Sequence, residues 1–400
     1  MKSPTRCLIA CAVLLGVAGM GVSAAPAGTI KVGVLLPLTG TPANFGEMER
    51  RSIEMATEEI NAKGGVKGNR IELIFEDDTG NPAVGRSAVE KLISRDGVPI
   101  ITGGYSSSVT AAAVGVAQQF KVPFLITSAA ADEITEKGYD HIFRIGPTNS
   151  EYPLGVVSFL KENVKDVRTA VILYEDTLFG QSGSRDFERL AKDLGIQVIL
   201  KEGFRAGSVD FKPMLTRVRS RNPDLVYAIA YIMDASLIMR QSKELDFHPK
   251  PFIGGGGGFT LPEFPVNAGA ASEYVYAASL WTESVPYKGA RAYYDKYLAR
   301  YKQGTSFQGA EAYAAMYVIA NALERAKSAS PGDLRDALAD TNLMTAFGPV
   351  RFISYEKKTQ QNRLPTYAVQ WQKGKLETVW PEDVATSKFI YPVPKWNERR

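Results

Sequence analysis

The residues best suited to hold a small molecule lie where predicted strands end. In the segment ITGGYSSSVTAAA (101–113), Tyr105 is followed by three serines at the start of a predicted helix. A helix N-terminus presents free N–H groups and the positive end of the helix dipole, and Ser106 and Ser107 add hydroxyl groups. That combination binds anions such as carboxylates. Serine is also a common helix cap, so capping alone explains the same pattern.

The next predicted strand end, FLITSAAA (124–131), carries small residues and should lie beside these serines. Small side chains at such a position let main-chain groups face a ligand. This neighbour favours the ligand-binding interpretation of the serines over simple capping.

Two pairs of adjacent acids also end predicted strands. Asp77 and Asp78 lead into a turn, and a structural role at that turn is the interpretation we favour. Glu175 and Asp176 close the predicted strand at 168–176, and ligand clefts of α/β sheets form outside such strand ends. Asp176 is therefore a candidate ligand-binding residue, although it also fits a cap of the following helix.

The sequence offers little for catalysis or metal binding. It has two histidines, His141 and His248, and neither has a partner at metal-ligand spacing. Both cysteines, Cys7 and Cys11, fall in the N-terminal leader, so thiol chemistry is not expected. The five glycines at 254–258 match a dinucleotide-binding loop only loosely, because prolines follow where a helix should begin. We therefore expect no enzyme activity, no cofactor and no metal.

The N-terminus has the pattern of a secretory signal peptide. Lys2 and Arg6 precede an apolar stretch, and the small residues at 22–24 suit a cleavage site, which predicts a signal peptide at 1–24. The segment LIAC (8–11) resembles a lipoprotein-processing box, but the apolar stretch before it is too short, so lipid anchoring is not expected. The formal net charge of the 400-residue chain is +4, and no basic cluster suggests nucleic-acid binding.

Predicted strands and helices alternate in two successive series, one before and one after about residue 148. A third part follows, with long helical stretches at 289–303 and 307–327 and a hairpin that turns at Gly374. This order predicts an α/β fold with two Rossmann-like units and mainly parallel sheets. A chain of this length is also expected to form two domains.

Six segments together resemble the leucine/isoleucine/valine-binding family, the exported solute-binding proteins of ABC importers. They are IKVGVLLPLTG (30–40), EEINAKGGVKGNRIELIFEDD (58–78), GGYSSSVTAAA (103–113), PFLITSAA (123–130), ILYEDTLFGQ (172–181) and AYAAMYVIANALERA (312–326). The resemblance covers essentially the whole mature chain. It implies the type I periplasmic binding fold, a periplasmic location, an inner-membrane ABC permease as partner and a monomeric state.

The family's fold has two lobes joined by three chain crossings, which close like a trap on a ligand. The resemblance places the crossings near Gly146-Pro147, Trp281-Thr282 and Gly348-Pro349. The expected domains are a signal peptide at 1–24, lobe 1 at 29–147 plus 282–348, and lobe 2 at 148–281 plus 349–400.

Matching the family's motifs residue by residue predicts the binding site. Ser106 matches the serine that holds the ligand carboxylate, Ala129 matches a main-chain contact, and Ala131 stands where relatives often have threonine. Phe45 matches an aromatic residue near the cleft mouth, while Phe179 and Tyr231 match tyrosines of the second lobe. The predicted ligand-binding residues are Phe45, Tyr105, Ser106, Ser107, Ala129, Ala131, Asp176, Phe179, Tyr231 and Gly256.

Gly256 is where the sequence departs from the family's amino-acid binders. Its position matches the acid that pairs with the ligand ammonium, and a buried ammonium without an anion costs several kcal/mol. Either Asp176 or Glu263 replaces that acid, or the ligand has no α-amino group. We expect a binding protein for a small carboxylate, either an amino acid or an amine-free aromatic or oxo acid. A periplasmic sensor and, less favoured, an exported α/β enzyme are the alternatives.

Overall fold

A computed structural model describes residues 28–399, so the predicted signal peptide with Cys7 and Cys11 lies outside the described part. In chain order the strands are β1 (Gly28–Leu36), β2 (Asn69–Asp77), β3 (Ile101–Gly103), β4 (Phe124–Ile126), β5 (Ile142–Arg144), β6 (Thr169–Glu175), β7 (Gln197–Phe204), β8 (Leu225–Ile229), β9 (Phe252–Gly254), β10 (Tyr276–Ser279), β11 (Asn342–Met344), β12 (Pro349–Arg351), β13 (Ile353–Tyr355), β14 (Lys358–Gln361), β15 (Tyr367–Gln372) and β16 (Lys375–Trp380).

The helices connect these strands and cover their faces. They are α1 (Ala43–Ala62), α2 (Pro82–Ser94), α3 (Ser107–Gln119), α4 (Leu154–Asn163), α5 (Leu178–Asp193), α6 (Lys212–Ser220), α7 (Ile232–Glu244), α8 (Phe264–Ala268), α9 (Ala290–Tyr301), α10 (Phe307–Arg325) and α11 (Pro331–Ala339). None of the helices described here is both long and apolar enough to cross a membrane.

Each lobe is built on a seven-stranded sheet. The strand orders are β13-β14-β5-β4-β3-β1-β2 in lobe 1 and β16-β15-β10-β9-β8-β6-β7 in lobe 2. The five strands that come first in the chain in each sheet, β1–β5 and β6–β10, pair in parallel. Antiparallel pairing occurs only toward one edge of each sheet. The predicted fold class is confirmed. In both sheets the strand order reverses at the strand that comes first in the chain, β1 in lobe 1 and β6 in lobe 2. Such switch points are where α/β sheets bind ligands.

The local sequence explains these elements. Central strands are apolar on both faces because helices cover both sides, as in β4, whose three residues are all buried. Helix α1 buries Ile53, Ala56 and Ile60, whose spacing places them on one apolar face of the helix. The hairpin β15–β16 is antiparallel and turns at Lys373-Gly374, where Gly374 has a φ of 72°.

The chain passes between the lobes three times. The first passage lies between β5 and α4, and the second lies between β10 and α9. The third does not lie at Gly348-Pro349, as expected, because that pair forms the turn between β11 and β12, where Thr345 bonds to Gly348. Strands β13 and β14 then extend the lobe 1 sheet, with Gln361 paired to Arg144. The third passage therefore lies between Gln361 and Tyr367, and residues 349–361 belong to lobe 1.

Candidate ligand-binding site

A cavity lies between the two lobes, at the carboxyl ends of the central strands of both sheets. In this closed form the space open to a water-sized molecule is about 20 Å³. The residues that line it are Tyr105, Ser128, Ala130, Tyr152, Phe179, Tyr231, Gly257, Phe307 and Gln308. Five of these nine side chains are aromatic, and none carries a formal charge. The walls therefore suit a ligand with an apolar or aromatic body.

Four helices begin at this cavity. Ser106 is the N-cap of α3 and follows Tyr105, and Tyr231 is the N-cap of α7. Phe179 is the second residue of α5, and Phe307 is the first residue of α10. Each helix N-terminus carries about half a positive charge and N–H groups that have no partner within the helix, although in α5 two of these groups already bond to Ser108 and Thr177. Their convergence favours a negatively charged group on a bound molecule.

Aromatic rings from the two lobes meet across the cavity. Phe45 stacks on Tyr105 in lobe 1, with ring centroids 4.3 Å apart. Phe179 stacks on Tyr231 in lobe 2, with centroids 5.6 Å apart and an interplanar angle of 5°. The two pairs contact each other because the Tyr105 and Tyr231 centroids lie 5.3 Å apart. The lobes are thus closed, and these rings occupy the space that a flat ligand would enter.

The hydroxyl groups near the cavity are only partly engaged. The Tyr105 hydroxyl is buried and has no hydrogen-bond partner in the described part of the chain. Burial raises the pKa of Tyr105 well above its ordinary value, so the phenol stays a donor. Ser106 makes no side-chain capping bond. Ser107 accepts from the Ala131 N–H at 3.2 Å, and Ser108 accepts from the Leu178 N–H of lobe 2 at 3.2 Å.

Three buried carboxyl groups surround the cavity without lining it. Burial raises the pKa of Glu49 and of Glu175 to about 8, and it raises the pKa of Glu311 well above its ordinary range. The Glu49 carboxyl accepts from Thr127 at 2.5 Å, and the Glu311 carboxyl accepts from Ser128 at 2.8 Å. All three groups are therefore mainly protonated at neutral pH.

Comparison with known proteins identifies this arrangement. The family model described as "Periplasmic binding protein" matches residues 29–375. The chain belongs to the periplasmic binding protein family. It is 30% identical over 401 residues to Leu/Ile/Val-binding protein homolog 7 of Brucella abortus (strain 2308), covering 95% of this chain and 98% of that relative. The resemblance to the leucine/isoleucine/valine-binding family is thus confirmed.

Solved structures of binding proteins have the same fold as this periplasmic binding protein. One is the branched-chain amino acid transporter substrate-binding protein LivJ from Streptococcus pneumoniae in complex with isoleucine. Its TM-score is 0.80 at 27% identity, over 88% of this chain and 100% of that chain. Another is an ABC transporter solute-binding protein from Rhodopseudomonas palustris BisB5 with 3,4-dihydroxybenzoic acid, with a TM-score of 0.77 at 23% identity over 87% and 95%. The first of these matches and the family model are binding proteins, and the second match shows the shared fold.

The structure brings several of the predicted site residues together in this periplasmic binding protein. Tyr105, Phe179 and Tyr231 line the cavity, and Phe45 stands behind Tyr105. Ser106 and Ser107 begin the adjoining helix α3. Ala129 and Ala131 flank the lining residue Ala130, and their carbonyl groups both accept hydrogen bonds from Arg144.

Neither acid proposed as a substitute amine anchor reaches the cavity. Asp176 is exposed and accepts a hydrogen bond from Gln181 at 2.6 Å. Glu263 accepts from Gln303 of lobe 1 at 2.6 Å, which makes it a contact between the lobes. Neither side chain is among those that line the cavity.

Gly256 is adjacent to the lining residue Gly257 and has a backbone conformation that favours glycine, with φ 84° and ψ −145°. A Cβ atom at Gly256 would lie 3.1 Å from the Tyr152 ring. The neighbouring glycines are equally crowded, since a Cβ at Gly257 would lie 2.8 Å from the Ala230 carbonyl. The glycines therefore do not enlarge the cavity, because neighbouring groups fill the space.

Sequence reasoning missed six lining residues: Ser128, Ala130, Tyr152, Gly257, Phe307 and Gln308. Ser128 and Ala130 lie in the segment FLITSAAA (124–131), whose small residues at a strand end had already indicated a ligand site. Phe307 begins a predicted helix, and the N-terminus of a helix near a cleft is a signal in itself. Tyr152 follows the first passage between the lobes, and nothing in the local sequence marks it.

Proposed function

We propose that this protein is the periplasmic substrate-binding component of an ABC importer and captures a small carboxylate between its lobes. The observation that carries this proposal is the convergence of four helix N-termini on a cavity with aromatic walls between the lobes. The helix ends favour a carboxylate, and the rings suit an apolar or aromatic body. Closure around the ligand then presents the loaded form to an inner-membrane permease.

We further propose that the preferred ligand lacks an α-amino group. An ammonium buried in this cavity needs an anionic partner, because an unpaired buried charge is strongly unfavourable. Among the residues that line the cavity, none is acidic. The nearby acids Glu49, Glu175 and Glu311 are held mainly in their neutral form. The fold itself does not determine whether the ligand has an α-amino group, since one neighbour holds isoleucine and another 3,4-dihydroxybenzoic acid.

Closure is supported by polar contacts between the lobes. Ser108 of lobe 1 accepts from the Leu178 N–H of lobe 2, and Arg185 of lobe 2 pairs with Glu133 of lobe 1. A ligand that enters between Tyr105 and Tyr231 must separate these rings. The proposal also includes export with cleavage of a signal peptide at 1–24. It further includes a periplasmic location without a lipid anchor and a monomeric state.

Thermal unfolding of the mature protein with matched ligands tests the proposal. The pairs are 3-phenylpropanoate with L-phenylalanine and 4-methylpentanoate with L-leucine, and each pair differs only by the α-amino group. Benzoate and benzamide extend the set to a shorter ligand and to an uncharged one. A ligand that binds the folded state raises the melting temperature by mass action.

We expect the amine-free carboxylates to stabilise the protein and the amide to have no effect. Stabilisation by the α-amino acids alone would refute the amine-free assignment. Equal stabilisation by benzoate and benzamide would refute the role of the carboxylate. Loss of ligand uptake in cells that lack this protein distinguishes transport from sensing.

A further inference from the structure

Two buried acidic side chains bond to consecutive residues, Thr127 and Ser128, below the lobe 1 wall of the cavity. Glu49 comes from α1 and Glu311 comes from α10, two helices that pack against each other, and both residues have no solvent exposure. Each uses one carboxyl oxygen, Glu49 with the Thr127 hydroxyl and Glu311 with the Ser128 hydroxyl. The other oxygen of each carboxyl is buried without a hydrogen-bond partner among the described residues.

Within residues 28–399, neither carboxyl group of this pair forms an ion pair with a cation. Arg144 is the cation nearest to Glu311, but its guanidinium donates to the carbonyls of Ala129 and Ala131 and to Gln361 and Thr135. The other titratable groups that act on the pair are Asp78, Tyr105 and Tyr152, and none of them is cationic. Two adjacent buried carboxyls without a cation cannot both ionise, so protons must be retained.

A retained proton changes the direction of the bond between Glu311 and Ser128. A carboxylate can only accept a hydrogen bond, whereas a protonated carboxyl group can also donate one. When Glu311 donates to the Ser128 oxygen, the Ser128 hydroxyl hydrogen becomes free to turn into the cavity that Ser128 lines. The unpartnered Tyr105 hydroxyl offers a second donor in the same wall.

We infer that Ser128 is a carboxylate anchor of the cavity and that protonated Glu311, packed on Glu49, is the positioning residue that keeps its hydroxyl donating to the ligand. The inference rests on the proposed function and names a lobe 1 contact beyond the α3 serines. Ionisation of Glu311 would reverse the Ser128 hydroxyl and place a negative charge behind it. Affinity for a carboxylate should therefore fall as the pair ionises.

Calorimetric titration of the mature protein with 3-phenylpropanoate from about pH 6 to about pH 9 tests the inference. Wild-type affinity should be highest near neutral pH and fall toward about pH 9 as the pair ionises, because burial raises the pKa of Glu49 to about 8 and raises the pKa of Glu311 well above its ordinary value. Ser128→Ala should weaken binding about 10-fold or more at every pH, the usual effect of losing a hydrogen bond to a charged group.

The Glu311→Gln variant tests whether a hydrogen-bond donor at position 311 is sufficient, because glutamine cannot become an anion. The glutamine amide donates to Ser128 without titrating, so affinity near neutral pH should stay within about threefold of wild type, and the loss at high pH should be smaller. Glu47→Gln is the matched control because Glu47 lies on the same helix as Glu49 but is partly exposed and paired with Arg50 and Arg51. It should leave both affinity and pH profile unchanged.

The possible failures are distinguishable. If 3-phenylpropanoate binds but Ser128→Ala is as good as wild type, or Glu311→Gln is as weak as Ser128→Ala, the inference is wrong and the proposed function stands. If L-phenylalanine binds with release of a proton and 3-phenylpropanoate does not bind, the pair is an ammonium site. In that case both the inference and the amine-free assignment are wrong.

Discussion

Replacing Glu49 by glutamine should flatten the dependence of protein stability on pH. Glu49 is completely buried, and burial raises its pKa from the ordinary value of 4.5 to about 8. Between these two values the folded protein keeps a proton that the unfolded chain has released. The unfolded state is therefore favoured progressively as pH rises, and the wild-type protein loses stability over this range.

The size of the effect follows from the two pKa values. From about pH 5 to about pH 7, Glu49 should lower the free energy of unfolding by about 2–3 kcal/mol, allowing for partial ionisation of the unfolded chain at the lower pH. Glutamine at this position keeps an oxygen for the Thr127 hydroxyl, fits the same space and does not titrate. Other buried acids contribute to the wild-type slope, so the comparison of wild type with variant isolates Glu49.

Urea unfolding of both proteins at the two pH values measures this difference directly. The difference in free energy of unfolding between wild type and Glu49→Gln should change by about 2–3 kcal/mol between the two conditions, whatever constant offset the amide introduces. The partly exposed Glu47 on the same helix is the control, and Glu47→Gln should give almost no change. A change below about 0.5 kcal/mol for Glu49→Gln would show that this carboxyl is already ionised in the folded protein.

Three further outcomes are expected. Ser106→Ala should weaken a carboxylate ligand by about 1–3 kcal/mol in calorimetry, and unchanged affinity would place the carboxylate elsewhere. Tyr231→Ala should weaken binding of 3-phenylpropanoate by at least about 1 kcal/mol through loss of the ring stacked on Phe179, whereas Tyr231→Phe should retain most of the affinity. Reversing the charge of Arg185 should speed ligand release up to about fivefold in stopped-flow measurements, because its partner Glu133 lies on the other lobe. The double reversal should restore the slow rate, and its failure to do so would show that the pair does not hold the lobes closed.

The sequence predicted most of the fold because burial and periodicity act locally. Apolar runs such as β4 and the buried face of α1 are visible without any tertiary information. The third passage between the lobes was misplaced for the same reason. Gly348 and Pro349 mark a tight turn, and a turn has the same local sequence whether the chain stays in one lobe or leaves it.

The sequence predicted those site residues whose position is set by the end of a central strand. Tyr105 and Tyr231 follow the central strands β3 and β8, and the topology alone brings such residues to the cleft. Asp176 also follows a strand, but its side chain bonds to Gln181 instead of facing the cavity. The direction of a side chain depends on its neighbours in space. Ser128 was overlooked because its importance comes from Glu311, which is 183 residues away in the chain.

The crowding at Gly256 also limits how the binding specificity of this protein can change. An acid placed there would meet the Tyr152 ring and force a side chain onto a backbone that glycine alone adopts easily. A smaller residue at 152 would relieve the first conflict and leave the second. A switch to amino-acid binding by this route thus needs both a smaller residue at 152 and a changed backbone around residue 256. Mutational drift through single substitutions would have to pass through a destabilised protein, which tends to keep the present ligand class in place.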